Sequence, residues 1–224
     1  MSKQPASPPP GHSFSFTQWL MLIAILAILM GVGSWLIFRA VTGGLASSGL
    51  PMLGEAPEFQ LIERSGKTVS RADLAGSVWV ADFIFTRCQG ICPLLSTRMA
   101  ALQQHLQKHP AGRQVRLISF SVDPEWDTPE RLQEYAKRYH ADPGYWFFLT
   151  GPIEVVTHLI TQGFHLAVAK APADSHTSAT EPIVHSDRLV LIDSTSHIRG
   201  YYHGMDQEDF DRLLRDVEMV RREQ

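Results

Sequence analysis

Residues 78–85, Val-Trp-Val-Ala-Asp-Phe-Ile-Phe, constrain the fold more than any other stretch of this chain. The run is apolar on successive positions, the pattern of a strand covered on both faces. After Pro93 the pattern changes, and Leu95, Met99, Leu102 and Leu106 recur at helical spacing. Residues 115–122 read as a second buried strand. A strand, a helix and a strand in this order predict a βαβ unit with parallel strands. At the joint between its first strand and its helix sit the only two cysteines of the chain, Cys88 and Cys92, in Thr86-Arg87-Cys88-Gln89-Gly90-Ile91-Cys92-Pro93. Pro93 suits a first helical position, where its missing N–H would have no partner.

The flanking sequence extends this unit. Residues 59–62 and 67–69 predict a short hairpin about Ser65-Gly66. Thr128-Pro129-Glu130 reads as an N-cap, a proline at N1 and an acidic first turn. Residues 146–149 form a short strand, and Ile153, Val156 and Ile160 mark a helix stopped by Gly163. Residues 188–192 and 198–202 predict a closing hairpin, and Asp206 caps a last helix with Phe210, Leu213, Leu214 and Val217 on its apolar stripe. This order predicts an α/β, thioredoxin-like fold, in which reactive cysteines lie at the end of a strand and the start of a helix. Residues 170–182, polar and rich in Ala, Ser and Thr, predict an exposed insertion before the closing hairpin.

The chain has 224 residues, with 44% hydrophobic and 19% charged, so its bulk is not disordered. A formal net charge of -3 argues against a nucleic-acid partner. Residues 19–38 carry no charged side chain, and such a run spans roughly 30 Å as a helix, the thickness of a bilayer core. Trp19 and Trp35 lie near its ends, as interfacial aromatics do. The sequence therefore predicts a Pro- and Ser-rich tail over 1–17, an N-terminal transmembrane helix over 18–40, a flexible tether over 41–54 and a folded domain over 55–224. The tail lacks the arginines of a mitochondrial transit peptide, which favours a bacterial protein. The expected location is the bacterial cytoplasmic membrane, crossed once, with the soluble domain facing the periplasm or the cell exterior.

Two thiols this close can form a disulfide, exchange one, or bind a soft metal. The exchange motif of thioredoxins is C-x-x-C, whereas three residues separate Cys88 from Cys92. Positions four apart on a helix share a face, so both sulfurs could point at one ion. Two ligands rarely satisfy a metal, and His185, just before the closing hairpin, is the candidate third. His176 is expected to face solvent within the insertion. His105, His109, His140 and His158 fall on helices or their ends, and His197 and His203 flank the last strand at the far end of the hairpin. Two thiolates and an imidazole make a soft, low-coordinate set suited to copper as Cu(I), with imidazole helping to hold Cu(II).

Four segments resemble the Sco/SenC family. They are the stretch from Glu58-Phe59 to Leu74-Ala75-Gly76, the segment from Phe85 through Cys92-Pro93, Ser121-Val122-Asp123-Pro124-Glu125-Trp126-Asp127-Thr128-Pro129, and His185-Ser186 with the strand ending in Asp193. Sco/SenC proteins are membrane-anchored, thioredoxin-fold copper proteins that help assemble the copper site of cytochrome c oxidase. The resemblance implies that Cys88, Cys92 and His185 are copper ligands. It also implies that Asp123 and Asp127 lie near the site, where they either orient ligands or dock a partner, with Arg87 as a positive neighbour. The implied function is a metallochaperone that delivers copper to a subunit of a haem–copper oxidase or to another copper protein. The alternative is a membrane-anchored thiol–disulfide reductase acting on the cysteines of a copper acceptor, with Cys88 attacking and Cys92 resolving. The chain departs from the family at two places. Gln89-Gly90 stands where relatives often carry Pro-Asp, and Val184 where many carry Asp before the histidine. Both changes remove negative charge, so Cu(II) is expected to be held less well than in typical relatives.

Overall fold

The computed structural model describes residues 16–45, 49–108, 115–166 and 186–223. The chain divides into two units, Met1–Ser48 and Gly49–Gln224. In the first, helix α1 (Phe16–Leu45) is 30 residues long, which at 1.5 Å per residue is about 45 Å. It is long and apolar enough, by length and composition, to cross a membrane. Apart from its last two residues, the expected tail over 1–17 lies outside the described residues.

The second unit is built on one sheet. Its strands are β1 (Gly54–Glu55), β2 (Gln60–Glu63), β3 (Thr68–Ser70), β4 (Val78–Ile84), β5 (Val115–Ser121), β6 (Trp146–Thr150), β7 (Arg188–Ile192) and β8 (His197–His203). Among the described residues their order across the sheet is β1-β8-β7-β4-β5-β6-β2-β3. All seven residues of β4 are buried, which accounts for its unbroken apolar pattern. It pairs in parallel with β5 and antiparallel with β7, and β5 pairs in parallel with β6. The βαβ unit expected from the sequence is therefore the centre of the fold. Helix α2 (Ile91–Gln107) connects β4 to β5 and packs on both. Its buried stripe is Cys92, Leu95, Met99, Leu102 and Leu106 with Ser96 and Gln103. Helix α3 (Pro129–Arg138) has Thr128 as N-cap and Pro129 in its first turn, as expected. Helix α4 (Ile153–His158) continues as a wider π turn over Leu159–Gly163. Helix α5 (Gln207–Arg222) is capped by the Asp206 carboxylate, which accepts from the N–H of Asp209 at 2.8 Å. The rings of Phe59, Trp79, Phe83, Phe120 and Phe164 interlock in the core, mostly edge to face.

The expected tether over 41–54 differs from what the structure shows. Residues 41–45 are helical, and the chain from Gly49 onward is bound to the second unit. Leu53 donates its N–H to the Ile198 carbonyl at 2.8 Å, and the Leu50 carbonyl accepts from Arg199 at 2.8 Å. Arg199 also meets Asp193 and Glu223 at 3.0 Å each, so one buried guanidinium fixes the start of the unit to β8 and to the end of α5. Composition rich in Gly and Ser does not reveal these long-range bonds. The expected insertion over 170–182 lies outside the described residues.

Candidate metal centre

The two cysteines meet by a loop closing on a helix start rather than along one helix face. Strand β4 ends at Ile84, and the chain turns tightly so that Cys88 donates its N–H to the Phe85 carbonyl at 3.2 Å. Cys88 precedes the helix, whereas Cys92 is the second residue of α2 and Pro93 the third. Pro93 thus stands two positions later than expected, still in the first turn, where no intrahelical bond needs its N–H. Neither thiol is in a disulfide and both are buried, at 7% and 2% exposure, and they are hydrogen-bonded to one another. That bond, and then burial, push the Cys92 thiol well above the ordinary cysteine range, and the negative charge of Asp82 acts in the same direction. Cys92 is therefore a protonated thiol here, and it would lose its proton either to hold a metal as the thiolate or to close a disulfide with Cys88 on oxidation.

The loop after β5 braces this joint. Asp127 is fully buried; its carboxylate accepts from the Thr86 N–H at 3.1 Å, the Thr86 hydroxyl at 2.5 Å and the Ser121 hydroxyl at 2.6 Å. Burial raises its carboxyl above the ordinary range, while the bonds from Ser121 and Thr86 pull it down. Asp123, 5% exposed, accepts from Arg87 Nε at 2.6 Å. The positive neighbour expected beside Cys88 is thus an ion pair, its charge largely offset by Asp123. The Arg87 guanidinium lies 5.3 Å from the Trp126 ring, and Arg131 stacks on the same ring at 3.7 Å. Trp126 is 40% exposed, so it presents an aromatic surface beside the cysteine loop. Neither Asp123 nor Asp127 reaches the surface to the same degree.

Beneath the pair lies a residue that the motifs did not single out. Asp82, in the middle of β4, is wholly buried and accepts from the Ser119 hydroxyl at 2.5 Å. Ser119 in turn accepts from Trp146 Nε1 at 2.8 Å. The other carboxyl oxygen of Asp82 has no partner. Burial pushes this carboxyl up to about 7, because a charge there would be stranded in a low dielectric. The sequence carried a signal for it, the one carboxylate in the apolar run of residues 78–85. Tyr135, also close enough to Cys92 to sense its charge, shares a hydrogen bond of 2.9 Å with Ser96, one helical turn beyond Cys92.

His185, the expected third ligand, and Val184 lie outside the described residues, as do His109 and His176. Among the described residues no group of three or more His, Cys, Asp and Glu side chains is gathered as a metal site. His105, His140 and His158 fall on helices or their ends, as expected, and His140 and His158 are exposed. His203 differs from expectation. The β7–β8 register sets it opposite Arg188, where the chain enters the hairpin, and only His197 lies toward the far end. The expected hairpin of 188–192 and 198–202 already sets residue 203 beside 188, because antiparallel pairing puts the two ends of β8 at opposite ends of the hairpin.

Comparison with known proteins agrees with this geometry. Residues 52–221 match the model of the SCO1/SenC family. The SCO1 protein homolog of Bacillus subtilis is 33% identical over 167 residues, covering 75% of this chain and 83% of that protein. The structure of BsSco, a member of the Sco family of cytochrome c oxidase assembly proteins in which a disulfide switch was identified, is 32% identical. It aligns with a TM-score of 0.67 over 79% of this chain and 98% of its own. ScoI of Bradyrhizobium japonicum with copper bound shares the fold, at 21% identity and a TM-score of 0.61 over 74% and 99% of the two chains. With the thioredoxin-like sheet, the cysteine pair at the β4–α2 joint and a family match over most of its length, this chain belongs to the SCO1/SenC family.

Proposed function

We propose that the protein is a membrane-anchored copper metallochaperone that delivers copper to a haem–copper oxidase or to another copper protein during assembly. The observation that carries this reading is the pair of reduced, buried sulfurs in mutual contact at the start of α2. Two thiolates are soft donors that favour Cu(I), and His185 supplies the imidazole that suits Cu(II). Copper is cargo here, and each thiol that takes it up gives its proton to solvent. Burial limits competition from water, while the loop on the Cys88 side leaves a route for an acceptor's ligand to displace one of the chain's own. Asp127 and Asp123 act on Thr86 and Arg87 and so hold the loop that carries Cys88. Helix α1 keeps the site at the bacterial cytoplasmic membrane, with the soluble unit on the outer side, where copper acceptors of the respiratory chain lie. The domains read as 1–17, 18–40, 41–54 and 55–224 serve as tail, anchor, connection and copper-binding unit.

The contact between the sulfurs also favours a second reading, a thiol–disulfide reductase. Cys88, the more exposed of the two, attacks an acceptor disulfide, and Cys92 resolves the mixed disulfide. The pair loses two electrons and two protons and closes a Cys88–Cys92 bond, and the acceptor gains two thiols.

Copper titration of the full-length, reduced protein in detergent, with and without His185→Ala, separates the readings. Tight one-to-one binding with sulfur-to-copper charge transfer, weakened in the variant, supports the chaperone. Weak binding in both forms, together with rapid reduction of a model disulfide, supports the reductase.

A further inference from the structure

The end of the sheet that carries the sulfurs also gathers exposed apolar side chains. Strands β4, β5 and β6 run in parallel. Strand β8 runs the same way, because it is antiparallel to β7 and β7 is antiparallel to β4. The cysteine loop after β4, the loop after β5 and the turn after β8 therefore emerge at one end. Leu94 lies two residues beyond Cys92 on α2, Trp126 in the loop after β5 and Met205 in the turn after β8, and all three are exposed. That turn closes on the cysteine helix, where a Cβ on Gly204 would lie 2.5 Å from Leu95 Cδ2. The sulfurs themselves are buried, so exchange of a ligand with another protein needs that protein seated on this end.

Trp126 is the most firmly built part of this surface. The Arg131 guanidinium stacks on its ring at 3.7 Å, and Arg131 Nη1 also donates to the Trp126 carbonyl at 2.7 Å. Arg87, the neighbour of Cys88, lies 5.3 Å from the same ring. The charge of Arg87 is met by Asp123, whereas among the described residues no carboxylate pairs with Arg131. A tryptophan and a cation already ordered on one another lose little freedom on binding, and these two residue types dominate interface energies. Glu125 and Glu130 are their neighbours in sequence. The cation is thus a single position rather than a broad basic patch, and an acidic segment out of register meets repulsion. We infer that the Trp126–Arg131 stack, with Leu94 and Met205 across the cysteine loop, is the docking surface for the copper acceptor, a protein that seats a carboxylate on Arg131 and apolar side chains on the exposed Trp126, Leu94 and Met205. The identity of the partner rests on the copper-delivery reading above.

The test uses the full-length, reduced protein in detergent and a pair of synthetic, fluorescein-labelled peptides. One carries Glu and Leu around a Cys-Cys-His core, and the other has Gln for each Glu. Copies with Ser for Cys, read by anisotropy, measure docking without copper. The Glu peptide is expected to bind roughly tenfold more tightly than the Gln peptide, and added salt should shrink the difference. Arg131→Gln and Trp126→Ala are expected to abolish the preference. Arg138→Gln, which removes the same charge at the other end of α3, is expected to keep it. Equal affinity for the two peptides, or a preference that survives Arg131→Gln, overturns the docking surface. Should Trp126→Ala lower the thermal midpoint, Arg131→Gln and the salt dependence carry the test, since Arg131→Gln leaves the backbone N–H that meets Thr128 in place. The peptides with cysteines then read transfer from the Cu(I)-loaded protein. Faster transfer to the Glu peptide, lost in Arg131→Gln, supports the inference, and equal rates to both overturn it. A protein that loads no copper yet keeps the Glu preference overturns the delivery reading alone.

Discussion

Asp127 and Thr86 are joined twice, through the backbone N–H of Thr86 and through its hydroxyl, across 41 residues of sequence. The pairing ties the residue two before Cys88 to the loop after β5, and it turns an acidic loop motif into a brace for the cysteines. Asp127→Ala removes the acceptor and leaves a part-buried N–H and two hydroxyls without it. A loss of about 3 kcal/mol in unfolding free energy follows, measured by urea denaturation of the copper-free protein. Copper release should also quicken, because the loop that carries Cys88 loses its fixed geometry.

Asp82 gives the fold a pH dependence of definite sign. Its carboxyl is pushed from 3.8 in the free chain to about 7 in the folded one. Between those values the folded state keeps a proton that the unfolded state has lost, so stability falls as pH rises from about 4 to 7 and is level above. A shift of this size is worth about 4 kcal/mol. Asp82→Asn should flatten that part of the profile and make the copper-free protein more stable than the wild type at pH 8. Denaturant midpoints at a series of pH values check this, and equal slopes in the two proteins would refute it.

Copper uptake should weaken in acid. The Cys92 thiol is raised well above the ordinary range by its bond with Cys88 and by burial. Below that range each copper bound displaces its proton, so apparent affinity changes by about tenfold per pH unit for that proton. Competition against a chelator of known pH dependence, between pH 6 and 8, measures the slope. A slope near zero would mean that Cys92 does not bind the metal.

Arg87 should matter through Asp123 rather than through net charge. The two meet at 2.6 Å, with the carboxylate side chain only 6% exposed and the guanidinium 30% exposed. Removing Arg87 leaves a nearly buried carboxylate alone, so Arg87→Ala should cost about 1–2 kcal/mol, more than an exposed pair does. Asp123→Ala/Arg87→Ala should recover part of that loss. Trp126 lies against both Arg87 and Arg131, so its fluorescence reports the change directly.

Gly204 tests the contact between the hairpin and the cysteine helix. A methyl group there has no room beside Leu95 and the Asp187 carbonyl. Gly204→Ala should destabilise the fold by about 1–3 kcal/mol, seen as a lower thermal midpoint, and Gly204→Ala/Leu95→Ala should recover part of it.

Sequence by itself determined the local elements and their order. The apolar run of β4, the helical stripe of α2 and the caps Thr128 and Asp206 are readable because each depends on neighbours a few residues away. The joint that carries Cys88 and Cys92 is readable for the same reason. Only the tertiary structure decided what faces what across the sheet. It put Cys88 in a loop rather than on a helix face and gave Arg87 to Asp123. It set Asp127 beneath Thr86 and buried Asp82 under the cysteines. Each of these depends on strand register and on packing between residues tens of positions apart. Hydrophobic periodicity marks which faces are buried but carries no information about which buried face meets which.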